Sequence, residues 1–447
     1  LKKWFWFYKN LCKKLWFRAT FYCLLGVFTA FIGIAFGEYI PEKLPGKVGA
    51  DAVGTILNII ATSMLAVTTF SLTTMVSATA AASSSTTPRV TKLLVEDTAA
   101  QRALSTFLGS FLFSLVGIIA LQTGLYGEGG RLILLASTLV VITFIVVTLL
   151  RWINHLSLLG RVGQTIDRVE AAVTHAMEDY ASNPLFGATL LTEIPEDAQA
   201  VYAKTIGFVE HLNMSALSNV AEQHDLHIYI AMRPGRFTTP AEPVAFILPE
   251  PKTTDAQNDS QQNQQDQPKQ QAPQIDEEKR EEIIKRIQNA FNIADGRSFE
   301  QDPRFGLIVL CEIAQRALSP AVNDPGTAID VIGTLVRVLA VASHAIKRDE
   351  EKASQKVTRP RVYMPPLSVK EFIEDAFMPI TRDGAGILEV SIKLQKACAA
   401  MAQYNEAYRV ASYDLSRLAM RRSLEAMTFE PDRDRLKAEA AVQDIND

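Results

Sequence analysis

Thr55, Asn58, Thr62, Thr69, Thr73, Ser77 and Ser84 recur at intervals of three, four or seven, which on an α-helix draws one line of polar groups along a single face. A weakly polar line without fixed charge could line a water-filled pore if copies of the helix faced one another around an axis. Thr62, Thr69, Thr73, Ser77 and Ser84 are therefore candidate pore-lining positions. Arg89, after Pro88, could ring an oligomeric vestibule and attract anions. Each has a plainer reading. Small and hydroxylated residues also let membrane helices pack closely, which suits Ala61, Ala66, Ala78 and Ala80 to Ala82 as well as a lumen does. Arg89 could simply snorkel to lipid phosphates.

A second constellation lies far along the chain. Arg304, Arg316, Ser319, Asn323 and Asp324 stand around two Asp-Pro steps, and a polar cluster where two helices meet is one expectation for them. Helix capping plus an intramolecular ion pair explains them at least as well. His224 and His227 flank Asp225 in an H-x-x-H arrangement, but no third or fourth ligand is in view, so no metal is expected. Neither a G-x-x-x-x-G-K-[ST] cradle, nor G-x-S-x-G, nor H-E-x-x-H occurs. No catalytic residue, no cofactor and no enzymatic role is expected.

The elements that must position these residues are dominated by four apolar runs: Phe17–Ile40, Ala52–Ala82, Leu104–Leu125 and Leu132–Leu150. Each is near or above the ~20 residues that cross a ~30 Å hydrocarbon core, where backbone groups must pair internally and helices result. Runs two to four carry no Asp, Glu, Lys or Arg in their interiors, which argues against a pump or secondary transporter. Lys2, Lys3, Lys9, Lys13, Lys14 and Arg18 precede the first run, with Trp4, Trp6, Tyr8 and Trp16 as an interfacial belt. Arg151, His155, Arg161 and Arg168 follow the fourth. The positive-inside rule then places both termini in the cytoplasm. The first run is too long for a signal peptide and no A-x-A-like site follows it, so it is read as a span.

The expected fold class is an α-helical membrane protein with four transmembrane helices, followed by a mixed cytoplasmic region made of a small β domain and a helical domain. Residues 1–152 form the transmembrane domain, and 153–250 a connecting helix and β-rich domain. In the latter, Leu156–Ala181 continues the fourth span as an amphipathic helix. Ala200–Val209, Leu226–Met232 and Pro243–Leu248 are strands of a small barrel or sandwich, with a helix at Met214–His224. Residues 251–275, rich in Gln, Asp, Asn and Pro, read as a disordered linker. Residues 276–347 read as a helical domain: Asp276 caps a helix ending at Gly296, and Pro303–Leu318 and Pro325–Lys347 are helices begun by Asp302-Pro303 and Asp324-Pro325. Residues 348–366 are a second linker and 367–447 a C-terminal helical region, with a tail after Glu430 expected to fray.

The mean hydropathy of +0.08 and net charge of -4 average a greasy, basic front over a polar, acidic back. No basic stretch outside the membrane flanks suggests nucleic acid. Cys12, Cys23, Cys311 and Cys398 have no C-x-x-C spacing and read as reduced, buried thiols.

The string Arg316-Ala317-Leu318-Ser319-Pro320-Ala321-Val322-Asn323-Asp324-Pro325-Gly326-Thr327-Ala328 resembles the most distinctive motif of a bacterial family of predicted membrane proteins catalogued as a domain of unknown function. Thr87-Pro88-Arg89, Arg233-Pro234-Gly235-Arg236-Phe237 and Gln301-Asp302-Pro303-Arg304-Phe305-Gly306 agree with it in order and spacing, from the first span to about residue 345. Such relatives often place an acidic residue where Arg236 stands here. The resemblance implies an inner-membrane protein with a cytoplasmic domain and carries over no catalytic residue. Its expected partners are the lipid bilayer and further copies of itself, in a pore for ions or small solutes with a cytoplasmic assembly or gating domain; no small-molecule ligand is identified. The alternative is a non-conducting scaffold or sensor.

Overall fold

The computed structural model describes residues 50–95, 97–124, 128–250, 277–351 and 357–440, with isolated positions between 20 and 32. The first expected span, Phe17–Ile40, the linker at 251–275, and Asp276 with its cap lie outside the continuous described segments. The chain divides into two compact units between Thr165 and Ile166.

Among its described residues the first unit contains three long helices. α1 (Ala50–Ser85) runs unbroken for 36 residues, ~54 Å. It stops short of Pro88, which opens a 3-10 turn (Pro88–Val90) capped by Thr87 and followed by the short α2 (Thr91–Val95). α3 (Thr98–Gln122) starts earlier than its apolar run because Asp97 accepts from the amides of Ala99 and Ala100. α4 (Glu128–Leu158) overruns its apolar core at both ends. α1 packs most extensively on α3, and α4 packs on both. The α3 face is built of small residues: Ala103, Thr106, Ser110, Ser114 and Gly117 are all buried on it. At Gly117 an added Cβ would lie 3.0 Å from Leu57 Cδ1, so the Leu57 side chain packs directly against the α3 backbone there.

α4 does not run on into the next helix. Gly160, in the left-handed region at φ 83°, breaks the chain before α5 (Val162–Ser182). Ile166, Val169, Val173 and Met177 of α5 are buried on its apolar face, as their spacing predicts.

The second unit is a sheet layer and a helical layer. Its strands are β1 (Ala188–Leu190), β2 (Gln199–Tyr202), β3 (Gly207–Leu212), β4 (Leu226–Ile230), β5 (Phe237–Thr238), β6 (Pro243–Pro249), β7 (Phe291–Ala294) and β8 (Arg359–Met364). They form a mixed five-stranded sheet, β1-β8-β4-β6-β2, and a three-stranded antiparallel one, β5-β3-β7. Helices α6 (Met214–Gln223) and α7 (Glu277–Ala290) close the core, with Leu217, Leu226, Ile228, Ile247, Ile287 and Val362 buried between them and the strands.

Several expectations are corrected here. The strand expected over Ala200–Val209 is two strands assigned to different sheets. The helix expected to reach Gly296 ends at Ala290, and Phe291–Ala294 joins the ladder with β3 instead. The linker 348–366 contains β8, which sits inside the five-stranded sheet, so the architecture is neither a closed barrel nor a sandwich of residues 200–250 alone.

The helical layer contains α8 (Pro303–Ala317), α9 (Pro325–Glu351), α10 (Val369–Asp383), α11 (Leu388–Met401), α12 (Glu406–Ala426) and α13 (Glu430–Ala438). α13 replaces the expected frayed tail because Leu436 is fully buried against Met420 and Met427. Asp302 and Asp324 cap α8 and α9 as their Asp-Pro steps predict, accepting from Phe305 N at 3.2 Å and Thr327 N at 3.1 Å.

Among the described residues four helices are long and apolar enough to cross a membrane: Ala52–Ser85, Thr98–Gln122, Gly129–Leu158 and Pro325–Ser343. The fourth was expected as a helix of the cytoplasmic domain. Its apolarity is taken up by packing, with Val331, Leu335, Val338 and Leu339 buried among α8 and α11.

Candidate functional site

On α1 the polar line and the packing face fall on opposite sides. At about 100° per residue, Thr55 to Ser84 occupy an arc of roughly 100°. Val53, Leu57, Ile60, Met64, Ser71 and Ala82, all buried, lie across the helix from it. Thr55, Asn58, Thr62, Thr69, Thr73, Ser77, Ser84 and Arg89 are all exposed. Within the described bundle the small-residue packing face is therefore on α3, and the polar line of α1 is left uncovered.

The hydroxyl chemistry of that line is specific. Thr62 donates to Asn58 O at 2.9 Å, Thr69 to Leu65 O at 3.0 Å, Thr73 to Thr69 O at 3.0 Å and Ser84 to Ala81 O at 2.9 Å. With each proton committed to a backbone carbonyl, these oxygens present lone pairs outward.

Two side-chain bonds tie the helices of the first unit together. The Trp152 indole N–H of α4 donates to the buried Ser71 hydroxyl at 2.9 Å. One turn further along α4, His155 Nε2 lies 2.7 Å from Asp97 Oδ2, so the carboxylate that caps α3 also ties α3 to α4.

In the second unit the structure separates the residues expected to cluster. Arg304, at the start of α8, pairs with Asp375 (Nε–Oδ2 2.5 Å) and Glu371 (Nη1–Oε1 2.6 Å) of α10. Burial opposes the Arg304 charge, but these two carboxylates outweigh it and raise its pKa. Arg316, Ser319, Asn323 and Asp324 lie at the other end of α8, in the turn to α9. There Ser319 donates to Arg316 O, Asn323 takes the left-handed conformation at φ 47°, and Arg316 is exposed. Asp324 is held below the usual carboxylate range by hydrogen bonds from the Thr327 hydroxyl and amide. This turn is built for capping.

The polar node that does form joins Arg233-Pro234-Gly235 to Asp302. Arg233, 5% exposed, donates to Pro184 O at 2.9 Å and to Pro365 O, and its guanidinium sits 5.8 Å from the Tyr180 ring centroid. Asp302, 2% exposed, takes a bidentate bond from Arg297 at 2.7 and 3.0 Å. Burial lowers the Arg233 pKa and raises that of Asp302, the latter against the pull of Arg297. Gly235 stands at φ 90°, and a Cβ there would run into the Asp302 carboxylate. Every charged group of this node is engaged inside the protein, which is the chemistry of a fastening.

His224 and His227 do not converge on a metal position. His224 Nε2 is 3.2 Å from Arg286 Nη1, and among the described residues no group of three or more His, Cys, Asp or Glu could hold an ion. Cys311 and Cys398 are buried, and burial pushes both thiols up to about 12, so they are poor nucleophiles. Cys12 and Cys23 lie outside the described residues.

Helices long and apolar enough to cross a membrane thus stand in one chain with a unit of sheets and helices. Residues 12–400 match the family described as "Predicted membrane protein (DUF2254)", and the chain belongs to that family. A segment of 54 residues is 54% identical to an uncharacterized protein of Mycobacterium bovis and to uncharacterized proteins of two strains of Mycobacterium tuberculosis. That segment is 12% of this chain and spans 10% of each relative's length. No solved structure matches the chain.

Proposed function

We propose that this protein is a homo-oligomeric channel of the bacterial inner membrane, passing ions or small solutes, with α1 lining the lumen and the second unit on the cytoplasmic side as its assembly or gating part. The supporting observation is the exposed arc of α1 that carries Thr62, Thr69, Thr73 and Ser77, shared with Ile59 and Val76, and set opposite the face that α3 and α4 occupy. One arc cannot enclose a lumen, so closure requires copies around an axis. Outward-facing hydroxyl oxygens can hydrate such a lumen without the cost of a fixed charge. No step of bond-making chemistry is assigned to the chain, and no cofactor.

Purified protein in planar bilayers should pass current, and Thr73→Leu or Ser77→Leu should cut unitary conductance several-fold by replacing wet oxygens with bulk methyls. Unchanged conductance in both variants would remove α1 from the lumen. Absence of current across a wide range of voltage and tension, with intact protein inserted, would favour a non-conducting scaffold whose α1 packs against a partner.

A further inference from the structure

The interior of the first unit is built of apolar and hydroxylated side chains, none of which changes charge near neutral pH. His155 is the one histidine among residues 1–165, and histidine is the side chain whose ordinary charge change falls between about pH 5 and 8.

Its position gives that charge a task. His155 stands in the last turn of α4, and Asp97 is the N-cap of α3. The two side chains are 20% and 8% exposed, and the carboxylate that faces His155 Nε2 at 2.7 Å also accepts from the Ala99 amide at 2.8 Å. The carbonyl end of one helix thus meets the amide end of the next. A cation suits the first and an anion the second, so the two ends carry the charges their dipoles favour only when His155 is protonated. Loss of that proton leaves an imidazole N–H on the carboxylate: the hydrogen bond stays and the ion pair goes. The Trp152 ring, one turn earlier on α4, lies 5.6 Å from the His155 ring, and its indole N–H holds Ser71 of α1, so the same contact reaches the third helix.

The other charges on the elements around this contact are Arg102 of α3, Arg151 of α4, Arg161 beyond its end and Arg89 of the 3-10 turn; α1 has Asp51 alone, in its first turn. Among the described residues none of them is bonded to His155, and the side chains of Lys92 and Glu96 lie outside that description.

We propose that His155 and Asp97 form a proton-operated clasp. With His155 protonated, the pair locks the end of α4 to the start of α3 and seats α1 through Trp152; with the proton gone, this end of the bundle loosens. The pair is complete only where Asp97 is ionised and His155 protonated, so the clasp tightens as pH falls from about 8 to about 6. It does not depend on α1 lining a pore.

The test is hydrogen exchange of the full chain in nanodiscs at about pH 6 and about pH 8, read as protection factors so that the intrinsic pH dependence of exchange is removed. The amides of Ala99, Ala100 and Gln101 should be several-fold better protected at the lower pH, while those around Phe113, in the middle of α3, should not respond. His155→Gln keeps a donor that never charges, and Asp97→Asn keeps an N-cap that never ionises, so both variants retain the fold. In each, protection of the first turn of α3 should be the same at the two pH values. Equal protection at both pH values in the unaltered chain would overturn the proposal. So would a pH response of the same size in either variant.

Discussion

Arg233→Ala is expected to destabilise the second unit by roughly 2–5 kcal/mol, since it takes the donor from two half-buried carbonyls and leaves the space of a buried guanidinium behind. The acceptors belong to different connections: Pro184 lies between α5 and β1, and Pro365 between β8 and α10. Arg233 itself follows β4, so one side chain fastens three segments at the border of sheet and helices. Arg233→Lys should recover only part of the loss, because an ammonium keeps the charge but lacks the planar fork that reaches both carbonyls while lying against Tyr180. Tryptophan fluorescence cannot read this change, as Trp4, Trp6, Trp16 and Trp152 all precede the second unit. Hydrogen exchange can: amides of β4, β8 and α10 should lose protection together, while those of α3 keep theirs. Protection retained in β4 and β8 would show that the sheet does not depend on Arg233.

Gly306→Ala should be nearly as damaging for a different reason. A Cβ at Gly306 would run into Val173 Cγ2 and stand 2.9 Å from Val173 Cβ, so α8 and α5 approach within a distance only glycine allows. Overpacking of this kind costs about 1–3 kcal/mol. Val173→Ala alone should also destabilise, by opening a small cavity under α5. Combined, the two changes relieve each other, so the double variant should be less damaged than the sum of the singles by about 1 kcal/mol in urea unfolding followed by circular dichroism. Strict additivity would mean that the helices part instead of clashing.

What was legible in the sequence was local chemistry. The Asp302-Pro303 and Asp324-Pro325 steps announce helix starts because the cap and the first-turn proline act within four residues. Runs two to four announce their helices because apolarity over that length has few other outcomes. β8 was hidden: Pro360 and the flanking arginines read as linker, and only its neighbours β1 and β4, far away in sequence, make Arg359–Met364 a strand. Phe291–Ala294 fits a helical face equally well until β3 pairs with it. The partners of Arg304 lie 67 and 71 residues further on, so no spacing rule could have linked them. On α1, spacing was enough to draw the polar line, but that it faces away from α3 and α4 depends on how those helices pack.

The central claim is that this line faces water. The direct measurement is a cysteine scan of α1 in native membranes, with native cysteines replaced and a charged, membrane-impermeant thiol reagent applied. Only an ionised thiol reacts, and a thiol facing lipid does not ionise. The account predicts rapid modification at 69, 73, 77 and 84 and little at Phe70 and Leu72, which flank the line. Equal reactivity around the helix, or silence at 69, 73 and 77, would contradict it.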